Sequence, residues 1–433
     1  MKMVPMAIAG VLACAGLLSP AAAQTATPVT RLVTEGGNRS SSSCDVASEG
    51  RAVAFASRAS NLVEGDANRA WDVFRETAKG IERMSVTSRE KPSVVDSYRP
   101  SISDDGNRVA FTANRWRLQG GRRPEGIFVR DAAAGKTIRV NVTADGSRPD
   151  SYSDGGVISG NGRHVAFFSY ASNLVEGGVN EAWTDAYVRS LARGKTKRVS
   201  FALGGGEPEG ESYPYDLSAR GGFVVFTSDA PDIVSGDGNR AVDVFRHNVS
   251  TGRTTRISVA SDGSEGGLDE DSGSPSISAD GRFVAFVSAA SLDPDRPTDH
   301  PAVYVHDAFT AKTSLVSLGS GGIANSYSDE AAISADGRYV AFLSAADNLV
   351  PHDTNAHYER SLGVDGFVRD LVDEQTFRVT VGEGGQEGND DAGDLSLSPD
   401  GGYVCWSSRA DNLVSGDDNG RADVFVRGPL WEE

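Results

Sequence analysis

Ser276-Ile277-Ser278-Ala279-Asp280-Gly281-Arg282-Phe283-Val284-Ala285-Phe286 holds two short apolar segments around an Asp-Gly pair, and nearly the same words recur along the whole chain. Aligned on the glycine, the copies are Gly50 to Phe55, Gly106 to Phe111, Gly162 to Phe167, Gly221 to Phe226, Gly281 to Phe286, Gly337 to Phe342 and Gly401 to Trp406. Seven copies at a spacing of roughly 56 to 64 residues describe an array of one supersecondary unit. An array buries its core between units, so a chain of 433 residues folds as one body.

Each copy carries four extended segments. The first ends at the Asp-Gly pair, which predicts a tight hairpin with both central residues at positive φ. In the second, Val284 and Phe286 share one face and Ala285 takes the other. Val109 and Phe111 flank Ala110 in the same way, as Val340 and Phe342 flank Ala341. A sheet with one bulky and one small apolar face is a sheet between neighbours, its bulky side chains packing on the small positions of the next copy. The third segment follows a long loop (Val73-Phe74-Arg75, Val244-Phe245-Arg246, Phe367-Val368-Arg369), and the fourth reads Thr254-Thr255-Arg256-Ile257-Ser258-Val259 in the fourth copy. No segment has the period of a long amphipathic helix, so the fold class is all-β.

The seventh copy stops after its third segment, Val424 to Arg427. The missing fourth is at the other end: Val29-Thr30-Arg31-Leu32-Val33-Thr34 matches the pattern, with Arg31 aligned on Arg256 and Leu32 on Ile257. An open array leaves unpaired edges at both ends, which a ring removes. Residues 29 to 34 are therefore predicted to pair beside Val424 to Arg427. The modules lie near 41–88, 98–144, 154–203, 213–260, 273–318, 329–381 and 393–428 plus 29–34, within a single domain over residues 29–429.

Ser398-Pro399-Asp400-Gly401, with its near copies Ser278-Ala279-Asp280-Gly281 and Ser334-Ala335-Asp336-Gly337, resembles the turn of the WD-like repeats in TolB-type β-propellers. The resemblance covers residues 29 to 429 and implies a seven-bladed β-propeller, four antiparallel strands per blade, the last blade closed by the N-terminal strand. It assigns no function, because propellers serve as enzymes, docking platforms and scaffolds. In prolyl oligopeptidase-like peptidases a propeller adjoins an α/β-hydrolase domain, but here no residues remain for one and no Gly-x-Ser-x-Gly occurs. Some propellers are polysaccharide lyases with a histidine-held metal in the channel. The six histidines here (His164, His247, His300, His306, His352, His357) have no repeated metal spacing.

The N-terminus pairs Lys2 with an apolar run from Met6 to Leu18 and Pro20-Ala21-Ala22-Ala23 before Gln24, the parts of a secretory signal over 1–23 followed by a short linker, 24–28. Val11-Leu12-Ala13-Cys14 is also readable as a lipoprotein signal acylated at Cys14. The expected location is periplasmic or secreted, with no transmembrane anchor and a monomeric state. A formal net charge of -18 repels phosphate backbones and anionic lipid, which disfavours nucleic acid as a partner and leaves a protein or cell-envelope component. Two cysteines remain beyond the signal, Cys44 and Cys405. They become neighbours only if the ring closes, and then stand either as a disulfide or as two buried small hydrophobes.

In a four-stranded meander the tight hairpins gather on one rim and the long loops on the other, so the long-loop rim is the candidate binding surface. Trp71 and Trp183 lie in its loops, Tyr152 and Tyr327 in its connectors. Three of the loops repeat an acidic pattern: Asp66, Asn68 and Asp72; Asp237, Asn239 and Asp243; Asp417, Asn419 and Asp423. The spacing gathers hard oxygen ligands as calcium loops do, and equally suits side chains that cap their own turns without metal. The leading functional expectation is a non-catalytic scaffold binding a protein or envelope component through this rim, with no catalytic residues. The alternative is a polysaccharide-active lyase or hydrolase with carboxylates at the channel mouth.

Overall fold

The computed structural model describes residues 28–114, 126–177, 183–354 and 363–431. The signal and lipoprotein readings, with His357, fall outside these residues. Seven four-stranded antiparallel sheets follow one another round a ring. In blade 5 the strands are Ser272–Ile277, Phe283–Ser288, Ala302–Asp307 and Lys312–Leu315, running from the axis outward. The seventh blade takes Ala392–Leu397, Val404–Ser408 and Asp423–Gly428 from the end of the chain and Val29–Leu32 from its beginning, with Val29 opposite Gly428 and Leu32 opposite Phe425.

The register of that closing strand differs by one residue from the sequence alignment. Arg256 lies opposite Phe245 in blade 4, and Leu32, not Arg31, holds the matching place opposite Phe425. Thr34 then corresponds to Ser258: each hydroxyl donates to the aspartate that opens the neighbouring strand, Thr34 to Asp423 at 2.7 Å and Ser258 to Asp243. Arg31 instead turns outward to Glu76 of blade 1 at 2.9 Å.

Packing between blades follows the two-faced pattern, in the opposite direction to that expected. The small residue of each blade receives the bulky face of the blade that follows: Ala110 meets Val165 and Phe167, Ala285 meets Val340 and Phe342, and Ala341 meets Val404 and Trp406. Within each sheet the bulky residue stacks on the aromatic of strand three, as Phe286 does on Tyr304 with centroids 5.9 Å apart. Such fully buried aromatic and branched side chains each contribute about 1.5–3 kcal/mol, so the ring is held together mostly at these seven interfaces.

The turn between strands one and two is longer than a two-residue hairpin. Ser278 N donates to Phe283 O, Ser278 Oγ accepts from Phe283 N at 3.0 Å and donates to Asp280 Oδ1 at 2.8 Å, and Arg282 N donates to the same oxygen. Serine and aspartate thus build a four-residue loop in which Gly281 alone needs positive φ, 81°. That glycine also serves as a seat, because a Cβ there would stand 2.2 Å from the Phe223 ring of the preceding blade.

In blades 1, 2, 4, 5 and 6 the second residue of the loop donates to the next blade, and in blade 3 the third, Asn161, donates to Ala219 O instead. Ala219 N donates to Ala279 O, Ala279 N to Ala335 O, and Ala335 N to Pro399 O at 2.7 Å. Pro399 has no N–H to pass on, and the circle is completed by Glu49 N donating to Asp400 Oδ1 at 2.7 Å. This belt floors the central channel at the hairpin rim.

Candidate binding surface at the channel mouth

The channel encloses about 440 Å³ and is lined by the inner strands of all seven blades. An innermost strand presents one unpaired edge of backbone N–H groups to the axis, and those groups need acceptors. Side chains from neighbouring blades supply them. Asp45 accepts from Ile102 N at 2.7 Å, from Ser396 Oγ at 2.8 Å and from Val46 N at 3.0 Å. Asp216 accepts from Leu217 N, Ile277 N and Ser276 Oγ, and Glu330 from Leu395 N at 2.8 Å. Enclosure by protein on all sides pushes the Asp45 and Asp216 carboxyls up to about 6, against the pull of their donors, and raises Glu330 as well. These acids are tied to the frame.

Every inner strand also carries one extra residue relative to its partner, a β-bulge that shifts register, for example between Tyr98 and Ser101 and between Pro214 and Asp216. A bulge re-aims the side chains beside it. Arg99, in blade 2, has φ 52°, Glu330 φ 45° and Asp394 φ 53°. In blade 3 the bulge is Gly155-Gly156, which removes side chains from the wall. The result is a cleft of about 480 Å³ opening beside the channel, walled by Arg99, Pro100, Phe168, Tyr213, Pro214 and Tyr215 over the two glycines.

The cleft is aromatic. Phe168 meets Tyr213 edge to face at 4.9 Å and Tyr152 at 6.0 Å, and Tyr152 meets Tyr170 at 6.3 Å. Polar ends are anchored: Tyr152 OH donates to Asp154 Oδ2 at 2.8 Å, and Tyr170 and Tyr213 donate to Glu211. Tyr215 stands 45% exposed at the lip. Arg99 leans towards Asp154 at 3.7 Å and keeps its guanidinium largely in solvent.

Of the sequence candidates on this rim, Tyr152 belongs to the aromatic cluster. Trp71 is half-buried in blade 1, its backbone N–H donating to Asp96; Trp183 is 44% exposed on blade 3; Tyr327 is half-buried in blade 6, its carbonyl held by Ser344 and Ala345. None of the three lines the cleft. Arg99, Phe168, Tyr213 and Tyr215 were not singled out, although the doubled Phe167-Phe168 and the Tyr213-Pro214-Tyr215 run both break the repeat.

The three acidic loops resolve into side chains that hold their own turns. Asn68 Oδ1 accepts from Ala70 N and its amide donates to Asp72 at 2.7 Å; Asn419 Oδ1 accepts from Arg421 N and its amide donates to Asp423 at 2.7 Å; Asn239 Oδ1 accepts from Ala241 N. In two of the loops the positive charge is supplied by the chain. Arg83 lies 3.0 Å from Asp66 and 3.9 Å from Asp72, and Arg256 lies 3.2 Å from both Asp237 and Asp243. Among the described residues no three His, Cys, Asp or Glu side chains gather as a metal site. Cys44 and Cys405 are joined as a disulfide across the ring closure, their Cα atoms 6.2 Å apart.

No protein-family model matches the sequence, and no curated protein matches it. Among solved structures, oligogalacturonate lyase from Vibrio parahaemolyticus superposes with a TM-score of 0.52 at 11% identity, over 93% of this chain and 97% of that one. Acylaminoacyl peptidase from Pyrococcus horikoshii gives 0.50 at 12% identity, over 86% of this chain and 49% of that one. TolB from Acinetobacter baumannii gives 0.40 at 13% identity, over 88% of this chain, which spans 65% of that TolB's length. In fold the chain is a seven-bladed β-propeller. Likeness at these identities is likeness of fold, and the fold serves a lyase and a peptidase. No helix among the described residues is long and apolar enough to cross a membrane.

Proposed function

We propose that this propeller is an exported, non-catalytic binding module whose partner, a protein or cell-envelope component, docks on the long-loop rim over the aromatic cleft. The observation that carries the reading is the contrast between the two groups of side chains at the mouth. The carboxylates that a lyase or hydrolase would use, Asp45, Asp216 and Glu330, spend their oxygens on backbone N–H groups of the ring. A general acid or base has to exchange its proton with substrate, and these are held as structural acceptors. The aromatic rings beside them are half-exposed on a rigid frame, and such rings bind at low entropic cost.

The test is photocrosslinking in a cell-envelope fraction with p-benzoylphenylalanine placed at Tyr215, and separately at Phe309 on the opposite rim. A discrete adduct at Tyr215 with none at Phe309 supports the reading. Equal labelling at both positions, or turnover of a polysaccharide that is lost on Asp216→Asn substitution in a folded variant, overturns it.

A further inference from the structure

A second cleft, of about 380 Å³, opens on the hairpin rim between blades 2 and 3, away from the channel. Val129, Ile138, Leu191 and Ala192 line its apolar part, and Arg108, Lys136 and Arg163 stand round it with one acid, Asp131. Asp131 is already committed, accepting from Arg108 Nε at 2.9 Å and from Ala134 N. Arg193 follows directly on Ala192, and, after burial, its charge and that of Arg163 lower the proton affinity of half-buried His164. A concentration of cations is out of character for a chain of net charge -18.

Comparison with the sister blades shows why the charge is unbalanced. The residue after the hairpin glycine is also arginine in blades 1, 5 and 6, and each time it meets an acid of its own blade: Arg51 with Glu49 at 2.7 Å, Arg282 with Asp307 at 2.7 Å, Arg338 with Asp370 at 2.6 Å. Asp307 lies opposite Phe283 and Asp370 opposite Tyr339 in the strand pairing. The same register places Ser190 opposite His164 in blade 3. Blade 3 keeps the arginine and lacks its acid, and among the described residues neither Arg163 nor Lys136 forms an ion pair. A guanidinium and an ammonium left free beside an apolar wall suit a ligand that brings its own oxygens.

We propose that this cleft binds an oxyanion, phosphate or carboxylate, carried on a short apolar body. The anionic head sits between Lys136 and Arg163, and the body lies along Val129, Ile138 and Leu191. Octyl phosphate below its micellar concentration is the probe, with octyl glucoside and inorganic phosphate as the uncharged and headgroup-only controls, measured by calorimetry on the full chain. Octyl phosphate is expected to bind, inorganic phosphate more weakly and octyl glucoside not at all. Ser190→Asp, which restores the acid present in blades 5 and 6, and the Lys136→Gln/Arg163→Gln pair are each expected to weaken octyl phosphate about tenfold or more. These side chains are exposed or half-exposed, so melting temperatures should stay with the parent. Octyl glucoside binding as well as octyl phosphate, no binding of octyl phosphate, or unchanged affinity in both variants overturns the proposal.

Discussion

Leu32 lies opposite Phe425 at the place where Arg83, Arg198, Arg256 and Arg378 lie opposite the aromatics of their own blades. Each of those arginines meets the buried aspartate that opens strand three, at 3.2 to 3.9 Å. Beside Leu32 the matching acid, Asp423, and its neighbour Asp417 have no basic partner among the described residues. Burial and the charge of Asp423 push the Asp417 carboxyl up to about 6. Leu32→Arg is expected to supply the absent guanidinium and to raise stability at pH 7 by about 1 kcal/mol, the net of a charge-assisted pair and its ordering cost. Urea denaturation of the two chains measures it, and a variant less stable than the parent at pH 7 rules the arrangement out.

Buried acids also set the direction of the pH response. Asp45, Asp216, Asp237, Asp365 and Asp417 all titrate near 6 in the folded protein against an ordinary 3.8. The folded state therefore binds more protons than the unfolded chain between these values, and stability falls as pH rises through that window. Asp307 and Asp370 act oppositely: their arginine partners hold them low, and their contribution is lost as pH drops below about 4. Melting temperature is expected to peak at about pH 4, to decline as pH rises to about 6, and to level off towards about pH 7.5. A profile that climbs steadily to pH 7.5 contradicts this.

Hairpin glycines allow backbone strain and packing to be separated. Gly281 and Gly263 have nearly the same positive φ, 81° and 86°, but an added Cβ at Gly281 meets the Phe223 ring and at Gly263 meets nothing within 4 Å. Gly263→Ala is expected to cost about 1 kcal/mol, the left-handed backbone alone. Gly281→Ala adds a clash at a blade interface and is expected to cost about 3 kcal/mol or more. Equal losses in denaturant melts show that the ring of Phe223 yields freely and that the glycine is not its seat.

The ring itself was legible because its two signals, the glycine spacing and the alternation of bulky and small residues, are local. Which neighbour each face meets was not, since a period of two names the faces of a strand without saying what lies beyond them. The closing strand was placed correctly but misregistered by one, because Arg31 matched Arg256 by type; the Thr34 hydroxyl on Asp423 decides the register, and that pairing spans the whole chain. Tyr152 was visible in its connector. Arg99 and Tyr215 were hidden by the bulges that aim them, for an extra residue in one strand is recognised only against its partner.

Cys405 occupies the small position of strand two in blade 7, facing Cys44 on the inner strand of blade 1, so the disulfide crosses the one blade interface that joins the two ends of the chain. The bridge closes a loop of sequence separation 361. Restricting so long a segment of the unfolded chain is expected to contribute about 2–5 kcal/mol. Reduction, or the Cys44→Ala/Cys405→Ala pair, should lower the unfolding free energy by that amount, and the denaturation midpoint with it, while leaving the native circular dichroism unchanged, because Val29–Leu32 still pairs with Asp423–Gly428 and completes the blade. Intact protein that takes up two alkyl groups without reductant, or a midpoint indifferent to dithiothreitol, shows that the strand alone holds the ring shut.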